Sequence, residues 1–211
     1  MKNKIVVYGG SFNPPLNSHF IIAQQVLNQF DEVKKVIFLP VNNNYAKDGL
    51  IENKHRYNML KIVIDQNEKF ELSDMDLNAK RSLHTIETLD KVQKMFPNEE
   101  ICFLCGSDNL KELNTWKSAE KLISKYKIIV MERDTDQIND IIKNDKLLSR
   151  YRKNIVKLKE DVKSNYKSSY VREQLKKGKS VRYLLPDKIF YYIEENNVYK
   201  SWYHSNKTPM T

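Results

Sequence analysis

The 211-residue sequence predicts an α/β fold built on a doubly wound parallel sheet, and three observations lead to this prediction. Short runs rich in Val, Ile and Leu alternate along the chain with longer amphipathic segments. The run Val36-Ile37-Phe38-Leu39 is apolar at every position, as a parallel strand covered on both faces requires. The first such run leads through a glycine pair directly into a helical pattern. Alternation of this kind builds right-handed βαβ units and therefore a doubly wound sheet.

The individual elements follow from the same patterns. Strands are predicted at residues 4–8, 34–40, 70–74, 100–105 and 127–132, with a weaker candidate at 155–159. Helices are predicted at 19–30, 54–66, 85–95, 116–125 and 136–147, followed by a helical C-terminal part at 168–177 and 186–196. The first helix carries apolar residues at Ile22, Ala23, Val26 and Leu27, which is the spacing of a helix lying on a sheet.

We expect residues 1–200 to form one domain and residues 201–211 to be a polar C-terminal tail, because no repeat and no long linker divides the chain. No apolar run reaches the roughly 18 residues of a membrane-spanning helix. The N-terminus moves straight into a strand pattern without the apolar region of a signal peptide. The sequence therefore predicts a cytoplasmic protein that does not associate with a membrane.

The two cysteines, Cys102 and Cys105, have the C-x-x-C spacing of redox and metal sites. However, they lie within a predicted strand, where positions i and i+3 point to opposite faces. No second Cys or His pair completes a zinc site. We expect both thiols to be buried and structural and no metal to be held by the protein.

The formal net charge of +9 comes from one segment. Residues 143–182 contain 14 Lys or Arg against 4 Asp or Glu, so this segment carries the whole basic excess. A nucleic-acid-binding surface is one interpretation. A solvated lysine-rich surface beside a site that handles phosphates is the other, and it is favoured because the segment lacks interleaved stacking aromatics. We expect no nucleic-acid partner.

The junction after the first strand, residues 9 to 20, reads GGSFNPPLNSHF and is typical of a phosphate-binding turn. Gly9 and Gly10 allow close backbone approach, and Ser11 and Phe12 continue the turn. The start of the next helix directs unpaired N–H groups and the positive end of its dipole toward an anion. His19 adds a side-chain donor at the same place. We expect all five residues to contact a nucleotide.

This turn is neither a GxGxxG fingerprint nor a GxxxxGK[ST] loop. It resembles the G-S-F-N/D-P-x-[TH]-x-x-H signature of the nucleotidylyltransferase superfamily, whose members transfer a nucleoside monophosphate from a triphosphate. The segment at residues 40–50 reads PVNNNYAKDGL and is similar to that of the nicotinate/nicotinamide mononucleotide adenylyltransferases. The resemblance runs from residue 4 to about 200 and implies a Rossmann-like nucleotidylyltransferase fold with a helical C-terminal part.

In that family the loop lysine reaches substrate phosphate, so the resemblance assigns Lys47 to catalysis and to mononucleotide binding. The alternative is an ordinary exposed lysine. His55 and Arg56 begin the next helical segment. Capping or packing of that helix is the favoured interpretation for both, and phosphate contact is the alternative.

A second group of residues is assigned to the mononucleotide. The stretch SLHTIETL at residues 82–89 resembles the S-Y-T-x-x-T-L of bacterial members, which helps to hold the pyridine ring. His84 stands where an aromatic residue is common, and Thr85 matches, although Thr85 could also be a helix N-cap. Trp116 offers a flat platform for the ring, or ordinary core packing. Arg133, at the end of a predicted strand, completes this group.

Polar residues at two further places are assigned to ATP. Gly106 and Asp108 follow the predicted strand 100–105 and match the family's G-[SAQ]-D-x-L, with Asp108 as an acceptor for ribose or base, or as an N-cap. Ser168, Ser169 and Arg172 match the family's I-S-S-T-x-I-R and would form a second anion cradle at a helix start.

The resemblance implies transfer of the adenylyl group of ATP to nicotinate or nicotinamide mononucleotide, with His19, Lys47 and Arg172 as catalytic residues and Mg²⁺ arriving with ATP. Which of the two mononucleotides is used, and the oligomeric state, stay open. Leu16 departs from the signature, because the family has His or Thr there and leucine donates no hydrogen bond. The alternative function is a nucleotide-binding protein of the same fold with reduced or altered transferase activity.

Overall fold

The computed structural model describes residues 2–44, 49–133, 137–159, 162 and 166–199. Its sheet contains six parallel strands in the spatial order β3-β2-β1-β4-β5-β6. The strands are β1 (Lys4–Gly10), β2 (Val33–Pro40), β3 (Phe70–Leu72), β4 (Glu100–Gly106), β5 (Lys127–Met131) and β6 (Ile155–Lys157). This is the order of a doubly wound Rossmann-like sheet, so the predicted fold class is confirmed.

Helices cover both faces of the sheet and extend past its last strand. They are α1 (Asn17–Gln29), α2 (Asn53–Ile64), α3 (Thr85–Met95), α4 (Ser107–Glu112), α5 (Ala119–Lys125), α6 (Ile138–Asn144), α7 (Lys146–Arg150), α8 (Ser168–Lys176) and α9 (Asp187–Glu195). The helix predicted at 116–125 was wrong in extent, because α5 begins only at Ala119, after Ser118 adopts a left-handed φ of 57°. A separate helix that was not predicted, α4, begins directly after β4. The helix predicted at 136–147 ends early because Asp145 accepts a hydrogen bond from the Leu148 N–H and starts α7.

The strand residues divide between two apolar layers, one on each face. Along β1, Ile5 and Val7 belong to the layer that contains the buried residues of α3 and α5, whereas Val6 and Tyr8 belong to the layer under α1 and α2. This alternation is the period of a pleated strand. Both faces are covered, which explains why the strands read as continuous apolar runs.

The cysteines fit the same alternation. Cys102 lies in the layer under α1 and α2, and Cys105 lies in the opposite layer, so the thiols diverge. Both are buried and free. Burial raises the pKa of the Cys102 thiol to about 12 and that of Cys105 further still, so neither is a reactive thiolate. The structural interpretation is confirmed.

A third apolar cluster attaches the C-terminal part. Leu16, which precedes α1, and Met59 of α2 pack with residues of α8 and α9, namely Val171, Leu175, Ile189 and Ile193. The cluster holds the start of α8 close to the start of α1. The predicted polar tail, residues 201–211, lies outside the described residues.

Arg56 connects the loops at the carboxyl edge of the sheet. Its side chain is fully buried, at 0% exposure, and none of the described carboxylates forms an ion pair with it. Burial lowers the pKa of the Arg56 guanidinium to about 10, against the opposing charges of Tyr199 and Asp76, so it stays protonated at neutral pH. Its hydrogen bonds go to Ile51 O (3.2 Å), Ser11 O (3.0 Å), Val41 O (2.6 Å), Asn43 Oδ1 (2.7 Å) and Asn53 Oδ1 (2.6 Å).

We expect Arg56→Met to lower the free energy of unfolding by about 3–5 kcal/mol, because several buried acceptors lose their donor at once. Urea denaturation measures the change. The matched control is Arg150→Met, since Arg150 is exposed and pairs with Glu120 at 2.9 Å on the surface. That control should cost less than about 1 kcal/mol. Equal losses for the two variants would contradict a connecting role for Arg56.

Candidate active site

Two cavities open at the carboxyl edge of the sheet, where ligands bind in doubly wound folds. Each has a volume of about 310 Å³. We call them the first cavity, bounded by the start of α1 and the start of α8, and the second cavity, bounded by the start of α3 and by Trp116. The residues that line both are Gly9, Gly10, Ser11 and Asn109. The glycine turn after β1 is therefore the wall between them.

Every residue that the sequence assigned to ATP lines the first cavity. These are Gly9, Gly10, Ser11, Phe12, His19, Gly106, Asp108, Ser168, Ser169 and Arg172. The sequence did not single out several other residues of the lining, among them Tyr8, Ser18 and Asn109. Residues 160 apart in the chain thus share one cavity because the third apolar cluster brings α8 to α1.

The start of α8 is fastened to the turn before α1. The Ser168 hydroxyl donates to Pro14 O at 2.9 Å, and Arg172 Nη1 donates to Asn13 O at 2.9 Å. The proton of Ser168 is therefore used within the protein, which makes Ser168 a positioning residue. The exposed hydroxyl of Ser169 and the other N–H groups of Arg172 are the donors that α8 offers to the cavity.

His19 is a neutral donor. It lies at the third position of α1, and its Nδ1 accepts a hydrogen bond of 2.9 Å from the Leu16 N–H. Burial, reinforced by the charge of Arg133, lowers the pKa of His19 to about 3. A neutral imidazole whose Nδ1 accepts carries its proton on Nε2. Nε2–H is therefore the group that His19 presents to an anion.

Two side chains lie close to Gly106. A Cβ at this position would overlap the carboxylate of Asp108 and lie 2.7 Å from Nε of Arg133. Arg133 Nη1 is 3.6 Å from Asp108 Oδ2, and the Arg133 N–H donates to the buried Ser107 hydroxyl oxygen at 2.9 Å. Gly106 occupies the N-cap of α4, so the interpretation of Asp108 as an N-cap was wrong.

Arg133 does not lie where the sequence analysis grouped it. It lines the first cavity, together with the residues assigned to ATP, and is not among the residues that line the second cavity. Met131, the last residue of β5, belongs to the layer under α1 and α2, and Arg133 follows two residues later on the same side of the sheet. The first cavity is lined by three cationic side chains, Arg133, Lys167 and Arg172, and by two acidic ones, Asp108 and Glu132. Glu132 forms an ion pair of 2.6 Å with Lys157.

The second cavity contains three of the residues assigned to the mononucleotide. His84, Thr85 and Trp116 line it, together with Phe103, Thr88 and Lys117. Trp116 packs edge-to-face against Phe103, with the ring centroids 6.1 Å apart, so it is partly core and partly cavity wall. The N-cap of α3 is His84, whose backbone N–H donates to Glu87 Oε2 at 2.9 Å. The interpretation of Thr85 as the N-cap was therefore wrong.

Asp76, which the sequence analysis did not single out, shapes the second cavity. It is buried, and its carboxylate accepts from the Asn42 N–H at 2.9 Å and from the Leu83 N–H at 2.7 Å. It therefore joins the loop after β2 to the segment that leads into α3. Because Asp76 lies in a polar stretch with no recognisable motif, the sequence does not indicate that its carboxylate joins two loops.

The remaining predicted residues are placed as follows. Lys47 lies outside the described residues, so its assignment stays a prediction. His55 lines neither cavity, and its Nδ1 lies 3.0 Å from the Tyr192 hydroxyl of α9. Arg56 is buried as described above. The packing interpretation is therefore correct for both His55 and Arg56.

Leu16, the departure from the signature, is 1% exposed and serves as an anchor of the third apolar cluster. Its side chain touches the first cavity without offering a donor. Packing is thus the role that leucine has taken at a position where the family pattern has a polar residue.

Two further features of the described residues bear on the site. None of the described helices combines the length and the apolar character needed to cross a bilayer. Within the same residues, no group of three or more His, Cys, Asp or Glu side chains is arranged to hold a metal ion.

Comparison with known proteins places these features in a family. The cytidylyltransferase-like family matches residues 7–174. A Clostridium tetani protein named "Probable nicotinate-nucleotide adenylyltransferase" is 32% identical over 204 residues, which is 95% of this chain and 100% of that protein. A protein of the same name from Caldicellulosiruptor bescii is 32% identical over 198 residues, covering 93% of this chain and 99% of that protein.

Solved structures share the fold. Plasmodium falciparum nicotinic acid mononucleotide adenylyltransferase, in structures complexed with APC and with NaAD, matches with a TM-score of 0.76. In each case the match covers 94% of this chain and 98% of the other, at 22% identity.

We expect His19 to remain in the neutral Nε2–H form from pH 8 down to about pH 4, because its pKa in the folded protein is about 3. Long-range ¹⁵N–¹H NMR spectra distinguish this tautomer from the imidazolium. The unfolded chain takes up the proton near the ordinary pKa of 6.5, so His19 destabilises the fold as the pH falls from about 6.5 toward 3. An imidazolium signal from His19 at pH 6 would contradict the buried, cap-bonded geometry.

Proposed function

This chain belongs to the nicotinate-nucleotide adenylyltransferase family within the cytidylyltransferase-like proteins, and we propose that it transfers the adenylyl group of ATP to nicotinate mononucleotide. The reaction releases pyrophosphate and forms the dinucleotide of NAD biosynthesis. The observation that carries the proposal is the pair of adjoining cavities, one lined by two helix N-termini and the other by an indole, with the glycine turn between them. Two substrates held in neighbouring cavities can react directly across that turn.

The first cavity suits the triphosphate. Its donors are neutral or cationic: Nε2–H of His19, Ser169, Arg172, Arg133 and the backbone N–H groups at the starts of α1 and α8. Helix N-termini and guanidinium groups are the usual protein ligands of phosphate. Mg²⁺ belongs to the substrate as the counter-ion of ATP, and it would neutralise part of the phosphate charge.

The second cavity suits the pyridine mononucleotide. Trp116 offers an apolar face for the ring, and a cationic pyridinium adds an attraction of roughly 0.5–2 kcal/mol to such a face. The N-terminus of α3 and Lys117 bring positive potential to the same cavity. Asp76 is the acidic residue of the described lining, and backbone N–H groups of Asn42 and Leu83 engage its carboxylate. We therefore propose the carboxylate form, nicotinate mononucleotide, as the preferred acceptor.

The chemical step follows from this placement. A phosphate oxygen of the mononucleotide attacks the α-phosphorus of ATP, and the bond from that phosphorus to the bridging oxygen of pyrophosphate breaks. No covalent intermediate with the protein is needed, so the residues act by positioning and by stabilising charge. His19 donates through Nε2–H to an oxygen on which negative charge grows, and Arg172 stabilises the departing pyrophosphate. Lys47 keeps its proposed role as a cation for the mononucleotide phosphate.

Leu16 favours one alternative: a nucleotide-binding protein with reduced transferase activity. Leucine occupies a position where the signature has a donor, and in this fold it is committed to the third apolar cluster. One lost donor to a charged group costs roughly 1.5–3 kcal/mol. The alternative predicts thermal stabilisation by ATP without formation of product.

We expect pyrophosphate release only when ATP and a mononucleotide are both present, with a higher kcat/KM for nicotinate mononucleotide than for nicotinamide mononucleotide. A coupled pyrophosphate assay with the two acceptors in parallel measures this. Stabilisation by ATP with no dinucleotide from either acceptor would support the binding-only alternative and overturn the proposed transfer.

We expect His19→Ala to lower kcat by a factor of about 10²–10³, which is the usual loss for one transition-state donor. His55→Ala is the matched control, because His55 contacts Tyr192 and lines neither cavity. The control should keep the wild-type kcat and lose only thermal stability. A wild-type kcat in His19→Ala would remove His19 from the active site.

A further inference from the structure

Tyr8 has a buried hydroxyl whose proton finds no acceptor among the described residues. The residue is on β1, directly before the glycine turn, and is 3% exposed. Its ring is held by three others, with centroid distances of 5.6 Å to Phe12, 5.6 Å to Phe38 and 6.1 Å to His19. Among the residues that the structure describes, none accepts a hydrogen bond from the Tyr8 hydroxyl, and the neighbouring Arg133 guanidinium can only donate to its oxygen. Buried polar groups of folded proteins nearly always have a partner, so this one points to a ligand.

The hydroxyl belongs to the first cavity. Tyr8 is part of its lining, beside Cys105, Met131 and Arg133 at the ends of β4 and β5. Aromatic contacts on both sides fix the ring and leave the hydroxyl little freedom to turn elsewhere. Arg133 lies close enough for its charge to act on both Tyr8 and His19. The Tyr8 hydroxyl, the His19 imidazole and the Arg133 guanidinium therefore converge on one part of the cavity.

We propose that Tyr8 is a further nucleotide-binding residue, whose hydroxyl donates a hydrogen bond to a phosphate oxygen of the bound nucleotide. The inference rests on the proposed function, since it takes the first cavity as the triphosphate site. In this arrangement Tyr8 supplies a donor to a cavity in which Leu16 supplies none. The new donor comes from the floor of the cavity, beneath α1, instead of from the turn before it.

The chemistry of the site suits a donor and excludes a base. Burial raises the pKa of Tyr8 to about 12 despite the opposing charge of Arg133, so the phenol keeps its proton at physiological pH. Anionic Asp108 and the Cys105 thiol act in the same direction as burial. A protonated phenol can hydrogen-bond to an anionic oxygen without adding charge to the cavity.

The test is Tyr8→Phe, which removes the hydroxyl and keeps the ring. Its matched control is Tyr126→Phe. Tyr126 is also buried, at 2% exposure, but it lines neither cavity, and its hydroxyl donates a hydrogen bond of 2.7 Å to Asp90. Titration calorimetry with the non-hydrolysable α,β-methylene analogue of ATP gives the Kd, and thermal unfolding without ligand gives the Tm.

We expect Tyr8→Phe to raise the Kd of the analogue by about 10- to 100-fold, the loss for one hydrogen bond to a charged group. Its KM for the mononucleotide should not change, and its Tm should equal or exceed that of the wild type. Tyr126→Phe should show the reverse, with a lower Tm and an unchanged Kd.

Three results would overturn the role of Tyr8. They are a wild-type Kd in folded Tyr8→Phe, equal changes of Kd in the two variants, and a Tm of Tyr8→Phe several degrees below the wild type, which would reveal a partner within the protein. Failure of the proposed function looks different: the wild-type protein would form no dinucleotide, while the Kd comparison would still report on Tyr8.

Discussion

The geometry of both cavities depends on the buried Arg56 side chain, because it joins the turn after β1 to the loop after β2. Its guanidinium donates to Ser11 O in the wall that the cavities share, and to Val41 O and Asn43 Oδ1 on the next strand's loop. A buried charge without a carboxylate partner is costly unless carbonyl and amide oxygens solvate it. The fold meets that requirement with acceptors from three separate segments, and the same hydrogen bonds hold the loops in place. A substitution at Arg56 therefore acts on both cavities without touching either ligand.

The C-terminal part contributes the other half of the first cavity. At Leu16, the packing of this part against α1 competes with the supply of hydrogen-bond donors to the cavity. The third apolar cluster needs an apolar side chain before α1 to receive Val171 and Leu175 of α8. The cavity needs donors at the same place. Leucine satisfies the first requirement, and the hydrogen bonds from Ser168 and Arg172 to the carbonyls of Pro14 and Asn13 then fix the start of α8. The other donors of the cavity come from α1, from α8 and from Arg133 after β5.

The sheet and the first cavity could be predicted from the sequence because each depends on local patterns. The strands are apolar at successive positions, and the residues of the GGSF turn and of the Ser168–Arg172 segment match a family signature. Helix α4 could not be predicted, since it has six residues, begins with turn-forming Ser107-Asp108 and is stabilised by burial of Leu110 rather than by propensity. The side of the glycine turn on which Arg133 lies depends on the face of the sheet on which the chain leaves β5. The roles of Asp76 and Tyr8 depend on which groups meet across the fold, and no spacing in the sequence encodes them.

The donors of the first cavity differ in charge according to their position, and this has a consequence for the chemistry. His19, on α1, and Tyr8, on β1, are both neutral, because burial lowers the pKa of the imidazole and raises that of the phenol. Arg172 and Lys167, at the start of α8, are cationic, and Arg133 adds a cation beside the two neutral donors. In the proposed transfer, the neutral donors would strengthen their hydrogen bonds as charge grows on the oxygens of the α-phosphate. The cations of α8 would hold the β- and γ-phosphates, which are charged throughout. Under the proposed function, the α8 side would therefore contribute mainly to binding, and the α1 side to the response to the transition state.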